Sequence, residues 1–323
     1  MARVLSIQSH VVHGYVGNKA ATFPLQVLGF EVDAINSVQF SNHTGYSQVK
    51  GTKQTAEELW DLFSGLEHND LLSYTHILTG YVGSAEFLST VVRIVRKLKE
   101  PAHQLALPHH YNNKVNPDIV TQSSETMANS TSQQLIPLAD IVTPNQFELE
   151  MILECDIKSE AMAFEALQRC LALGIKHAVL TSFHGDTRER ITLLGCAHPQ
   201  RSKEQAEAAQ GSTADGDGGD GDVTSELTRY RLTVPRFDFY FTGTGDLLSA
   251  LILARTWEAP ADPMTAVAKA AASLQGVCQH TYEYCRHVEA PTARHKELRL
   301  IQSKHQDHIE SPDLNLLREC EKL

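Results

Sequence analysis

Val4-Leu-Ser-Ile7, then Ala20–Leu28, then Val32-Asp-Ala-Ile35 read in chain order as strand, helix, strand. Two short apolar runs flank a longer stretch whose apolar residues recur at three- and four-residue spacing. That is the pattern of parallel strands joined by a crossover helix. The alternation continues outward from this unit. Thr75-His-Ile-Leu78, Ile141-Val142 and Ala178-Val-Leu180 are further strands, while Ala56–Leu66, Ala85–Leu98, Phe147–Leu153 and Ala161–Leu173 are helices with one face toward a sheet. An α/β fold with a doubly wound, mostly parallel central sheet flanked by helices follows. Ile191–Leu194 and Tyr230–Val234 predict a hairpin, and Glu297-Leu-Arg-Leu-Ile301 one more strand.

The 323 residues, 42% of them hydrophobic, suit one α/β domain spanning 1–323. With 28 Lys and Arg against 39 Asp and Glu the net charge is −11, which argues against a nucleic-acid partner, since such partners select a basic patch or stripe. No stretch approaches the ~18 apolar residues that span a bilayer, and the first residues lack the apolar run of a signal peptide, so a cytoplasmic protein without a membrane partner is expected. Six cysteines without a C-x-x-C pair suggest neither zinc nor disulfides. Asp215-Gly-Asp-Gly-Gly-Asp-Gly-Asp222 lies in a connection of about Ser202 to Thr228, whose glycines and like charges predict disorder. It fails the spacing of a calcium loop.

Chemistry has three candidate locations. Phe241-Thr-Gly-Thr-Gly-Asp246 runs straight into Leu247–Trp257, a stretch of strong helix formers. Glycines before a helix let backbone N–H groups converge, and the helix N-terminus favours an anion there. Asp246 is then placed to accept a proton from an alcohol beside that anion. A tight turn with a capping aspartate would look the same. Thr143-Pro-Asn-Gln-Phe-Glu148 follows a strand, so Asn145 and Glu148 project either into the crevice where a nucleotide and its metal lie or into a helix start with Pro144 in its first turn. Ser6–Asn18 and Ser37–Tyr46 end in polar, glycine-containing loops able to hold a small aromatic ligand. Their histidines His10, His13 and His43 have no metal-ligand spacing.

Arg3–Tyr46, with S-I-Q-S-H-V, H-G-Y-V-G-N and N-S-V-Q-F-S-N-H-T-G-Y, resembles the pyridoxal kinases, a ribokinase-like family, almost residue for residue. Leu78-Thr-Gly-Tyr81, Pro137–Glu148, Thr242–Asp246 and Glu297–Ser303 resemble them too. The resemblance implies transfer of the γ-phosphoryl of ATP to the 5′-hydroxymethyl of pyridoxal, pyridoxine or pyridoxamine. Asp246 is then the base, and Gly243, Thr244 and Gly245 form the anion hole. Ser9 and Thr44 contact the vitamer, with Val16, Phe40 and Tyr81 lining its ring pocket. Asn145, Glu148, Thr181, Ser182, Thr242 and Thr244 fall on the ATP side; Thr143, Glu148 and Thr181 fall on the cation side. Mg²⁺ or another divalent cation, a monovalent cation (K⁺ or Na⁺) and a homodimer are implied by the same likeness.

Between Lys99 and Pro137 the resemblance stops. The family has there an apolar strand ending in C-D-P-V-x-G-D, then a lid. Here residues 100–136 carry none of that motif, and the segment reads as lacking the buried strand, with Asp118 given no family role. Two functional readings are therefore carried forward: an active kinase, and an impaired relative that binds vitamer or nucleotide without efficient turnover.

Overall fold

The structure, a computed structural model, describes residues 1–82, 84–100, 118–121, 132–183, 189–199, 227–304 and 308–323. Its ten strands are β1 (Arg3–Val11), β2 (Glu31–Phe40), β3 (Gly51–Lys53), β4 (His76–Thr79), β5 (Asp118–Thr121), β6 (Ile141–Val142), β7 (His177–Phe183), β8 (Arg190–Ala197), β9 (Thr228–Pro235) and β10 (Glu319–Lys322). They form one sheet in the order β10-β9-β8-β7-β6-β5-β4-β1-β2-β3. Strands β2, β1, β4, β5, β6 and β7 are mutually parallel; β3 and the β8–β9–β10 edge are antiparallel.

Eight helices connect them among the described residues: α1 (Asn18–Val27), α2 (Ala56–His68), α3 (Ala85–Leu98), α4 (Ser132–Leu135), α5 (Gln146–Leu153), α6 (Glu160–Ala172), α7 (Thr244–Glu258) and α8 (Pro263–Cys285). The two faces of the sheet carry separate cores, and strand alternation assigns residues to them. Leu5, Ile7, Ile77, Val142 and Leu180 pack with Phe63, Phe87 and Leu167 on one side; Val4, Leu78, Ile141 and Val179 pack with Leu25, Leu251 and Val267 on the other. Strands covered on both faces read as continuous apolar runs, which is why β1, β4, β6 and β7 were legible. Each such side chain contributes about 1.5–3 kcal/mol when fully buried.

Three expectations need correction. The odd segment does supply a central strand: β5 sits between β4 and β6, with Ile77 opposite Ile119, Leu78 opposite Val120 and Thr79 opposite Thr121. Val120 and Thr121 are buried, and Thr79 Oγ1 donates to Thr121 Oγ1 at 2.7 Å. Val120 and Thr121, both β-branched, fit a slot already templated on both sides. Glu297–Ile301 is not a strand. Leu298 and Leu300 are buried, but Arg299 N–H donates to Thr281 Oγ1 on α8 rather than to a ladder. The extra strand is β10, paired with β9. Pro144 precedes the N-cap Asn145 and so stands just outside α5, not in its first turn.

The long α8 was not anticipated from the sequence, although Asp262 caps it by accepting from Thr265 N–H, with Pro263 in the first turn. Apart from Leu227 and Thr228, where β9 begins, the connection of about Ser202 to Thr228 lies outside the described residues. Most of 100–136 lies outside them as well. Among the described residues no helix is long and apolar enough to cross a membrane.

Two histidines are carried neutral inside. His76 packs edge-on against Phe30 and Trp257, and His177 Nε2 meets Tyr230 Oη at 2.5 Å. Burial lowers each imidazole to about 4. The unfolded chain protonates histidine near pH ~6.5 and the folded chain only near 4, so unfolding takes up protons throughout that window and stability is lost as pH falls through it. One carboxyl, Asp246, is raised to about 6 by burial and acts in the opposite sense over part of the same range. We expect the melting temperature to decline as pH falls from ~6.5 toward ~4.5, with a shallower decline in a His76→Phe variant. A level profile would show that these rings are not buried neutral.

Candidate active site

Five helices of eight residues or more begin with a side-chain cap: Thr55 on α2, Ser84 on α3, Asn145 on α5, Ser159 on α6 and Asp262 on α8. Helices α1 and α7 do not. They begin at Gly17 (φ 52°) and Gly243 (φ 86°), with no side-chain hydrogen bond at either cap. Both glycines are forced by close approach as well as by positive φ. A Cβ on Gly17 would stand 2.0 Å from the Ser9 carbonyl oxygen, and one on Gly243 would stand 2.0 Å from the Tyr15 carbonyl oxygen. The two bare helix starts are thereby held side by side, and α1 packs along α7.

Asp246, in the first turn of α7, bridges them: the Gly17 N–H donates to Asp246 Oδ2 at 2.7 Å. No other described donor reaches this carboxylate, which leaves Oδ1 for another partner. The residue is partly buried, and its carboxyl is raised to about 6; desolvation is the cause, opposed by the Gly17 hydrogen bond. A carboxylate at a helix N-terminus would ordinarily be stabilised as the anion. Here burial outweighs the N–H donor.

The expected vitamer residues gather on the same side. Ser9 lies near the carboxyl end of β1 with its Oγ against Gly17, and Val16 is buried with its Cα beside Gly243. Phe40 ends β2 opposite Val11. Thr44 is exposed, and its neighbour Gly45 approaches Thr242 Oγ1. Tyr81 is 39% exposed, its carbonyl held by Ser37 Oγ at 2.9 Å. Beneath it Gln8 is buried in a directed network: Gln8 Nε2 donates to Ser6 Oγ, which donates to Asn18 Oδ1. His43, read from the sequence as a loop residue, is buried and accepts from Gly45 N–H through Nδ1.

Of the expected nucleotide and cation residues, Thr143, Asn145, Glu148, Thr181 and Ser182 lie at or near the carboxyl ends of β6 and β7, on the edge of the sheet where ligands bind in open α/β folds, whereas Thr242 and Thr244 stand at the start of α7. The side chains of Thr143, Asn145, Glu148 and Thr181 are engaged by protein. Asn145 and Glu148 form a reciprocal capping box on α5, at 2.9 and 2.8 Å. Thr181 Oγ1 donates to the Pro144 carbonyl, and Ser182 lies partly buried beside it. Thr143 is buried with its Oγ1 2.8 Å from Ser249 Oγ, and Ser249 donates to the Gly245 carbonyl. That relay ties the end of β6 to the first turn of α7 where Thr244 and Gly245 stand; no local pattern marks Ser249 or Gly17 as participants.

As a divalent-metal site this donor set does not fit. Its hydroxyls and the capping carboxylate are committed, and among the described residues no group of three His, Cys, Asp or Glu side chains could hold an ion. What remains is a pair of bare helix starts suited to an anion, a carboxylate with raised proton affinity, and a partly apolar approach from the loops after β1, β2 and β4.

Comparisons with known proteins identify the family. A family model described as phosphomethylpyrimidine kinase matches residues 30–220. Pyridoxal kinase of Homo sapiens is 38% identical over 319 residues, covering 97% of this chain and 96% of the human protein, and that of Arabidopsis thaliana is 38% identical over 98% and 94%. The solved structure of Leishmania donovani pyridoxal kinase with ADP and pyridoxamine superposes with TM-score 0.77 at 32% identity, over 94% of this chain and 95% of that one. On that whole-length likeness in both sequence and fold, the protein belongs to the pyridoxal kinase family.

Proposed function

We propose that this chain transfers the γ-phosphoryl of ATP to the 5′-hydroxymethyl of pyridoxal, and of pyridoxine and pyridoxamine, in the salvage of vitamin B6. The observation that carries the reading is the Asp246 carboxylate at the uncapped start of α7. Its proton affinity is raised to about 6, one oxygen is held by Gly17, and the other has no described protein donor. The Leishmania donovani relative was solved with ADP and with pyridoxamine or pyridoxine, which supports the choice of both substrates.

The protein's groups divide the work between positioning and charge. Ser9, Thr44, Val16, Phe40 and Tyr81 hold the pyridine ring so that its alcohol faces Asp246 Oδ1. Asp246 takes the alcohol proton as the oxygen attacks. The N–H groups of Gly243, Thr244 and Gly245, aligned by the helix, receive the charge of the transferring phosphoryl. Asn145, Glu148, Thr181, Ser182 and Thr242 bound the nucleotide. A divalent ion accompanying ATP would supply further charge neutralisation. Thr143, Glu148 and Thr181 already have protein partners, so such an ion would draw its ligands chiefly from phosphate oxygens and water. The homodimer and the monovalent cation implied by family likeness belong to the same proposal.

The impaired-relative reading keeps one observation in its favour, that residues 100–136 do not carry the C-D-P-V-x-G-D motif of the family. A coupled assay separates the two readings. Nucleotide turnover that requires pyridoxal supports the kinase. Calorimetric binding of pyridoxal or ATP without turnover supports the impaired relative. Turnover with a hydroxymethylpyrimidine in place of pyridoxal would reassign the alcohol. In an active chain Asp246→Asn should lower kcat by about 10²–10⁴-fold while ATP binding stays within a few-fold, and activity within about tenfold of the parent would contradict Asp246 as base. The parent kcat/KM should rise with pH through about 6, where this carboxyl loses its proton; a rate independent of pH between ~5 and ~7 would also exclude it as the base.

A further inference from the structure

Glu297 lies more than 250 residues along the chain from the loops it touches, and its side chain is 9% exposed. Its Oε2 accepts the Tyr15 N–H at 3.0 Å. Its Oε1 accepts the Tyr46 hydroxyl at 2.9 Å and faces His43 Nε2 at 3.2 Å. The tautomer of that histidine follows from its other side: Gly45 N–H donates into Nδ1, so the ring proton sits on Nε2 and points at the carboxylate. Three donors from two different loops therefore converge on one buried carboxylate.

The chain has made room for this. Gly14 has φ +94°, and a Cβ there would lie 2.4 Å from both carboxylate oxygens, so only glycine lets the β1–α1 loop approach Glu297. Tyr46 is pushed up to about 12, first by burial and then by its bond to Glu297, which keeps the phenol protonated as a donor. The consequences reach the reacting groups through short covalent paths. The Tyr15 carbonyl is the atom packed against Gly243, and Gly17, two residues further on, donates to Asp246. On the second loop, Thr44 lies between His43 and Tyr46.

We propose that Glu297 is a positioning residue for the alcohol substrate, fixing the loop that carries Val16 and the loop that carries Thr44 against the start of α7. It does not touch the reacting atoms in this arrangement, and it acts on the vitamer side rather than on the nucleotide side. This assignment rests on the reading of the site as a B6-vitamer kinase.

The test uses the full chain with Glu297→Gln, Glu297→Ala and the milder Tyr46→Phe, which leaves the carboxylate in place. Losing acceptors for buried donors should raise KM for pyridoxal by roughly ten- to a hundredfold in Glu297→Ala and less in Glu297→Gln, with KM for ATP within about twofold. Tyr46→Phe should raise the pyridoxal KM alone, and combining it with Glu297→Ala should give less than the product of the two effects, because both act through one contact. Pyridoxal KM unchanged in Glu297→Ala, or both KM values moving together in Tyr46→Phe, would overturn the assignment. A parent chain without turnover would count against the function instead, and calorimetric pyridoxal binding to parent and variants would then decide the positioning role by the same ratios.

Discussion

The Gly17 N–H donates to Asp246 Oδ2 across 2.7 Å, and two helix starts from opposite ends of the chain meet around that bond. For the contact to exist, Ser9, near the end of β1, must hold its carbonyl against Gly17, and the Tyr15 carbonyl must lie against Gly243. Neither glycine tolerates a side chain. The geometry is thus fixed by steric exclusion at two positions and a hydrogen bond between them, and the sheet's role is to bring the carboxyl ends of β1, β4, β6 and β7 to the same edge. Once set, the bond engages one carboxylate oxygen and leaves the other without a described protein donor.

Electrostatics at that point is a contest with a clear outcome. A backbone donor favours ionised Asp246 and burial disfavours it; burial outweighs the donor, which moves the group toward neutral pH. A general base works best when its proton affinity lies near the working pH, and the displacement is in the direction that the proposed role of Asp246 requires. Several of the surrounding polar groups are committed to protein partners. Thr143, Ser249 and Gly245 form one relay, Asn145 and Glu148 another, and Glu297 gathers His43, Tyr46 and the Tyr15 backbone. Each leaves a loop or helix start with one arrangement, because an unpaired polar group in such surroundings is costly.

Much of the frame was readable from residue pattern. Strands buried on both faces announce themselves as apolar runs, and the helices between them keep a 3.6-residue period, so β1, β4, β6, β7 and α1 to α3 fell close to their observed bounds. Strand β5 was not readable: its slot is made by neighbours distant in sequence, and Ile119-Val120-Thr121 alone carries too little signal. The alternation in Glu297–Ile301 was real burial, but the backbone found a helix side chain in place of a ladder. In the site, the glycine-aspartate run pointed to the start of α7, because glycine freedom and a helix dipole are local properties. Gly17, Ser249 and Glu297 take their roles only through partners 106 to 282 residues away, a relation that no local spacing encodes.

The central claim is that burial beside a bare helix start holds Asp246 as a base with a proton affinity far above that of an ordinary aspartate. The direct test is a carboxyl-carbon NMR titration of the free protein, with the Asp246 resonance assigned by its loss in Asp246→Asn. The account predicts a midpoint close to the value of about 6 given by its surroundings. A midpoint near ~4, the ordinary range for aspartate, would contradict it.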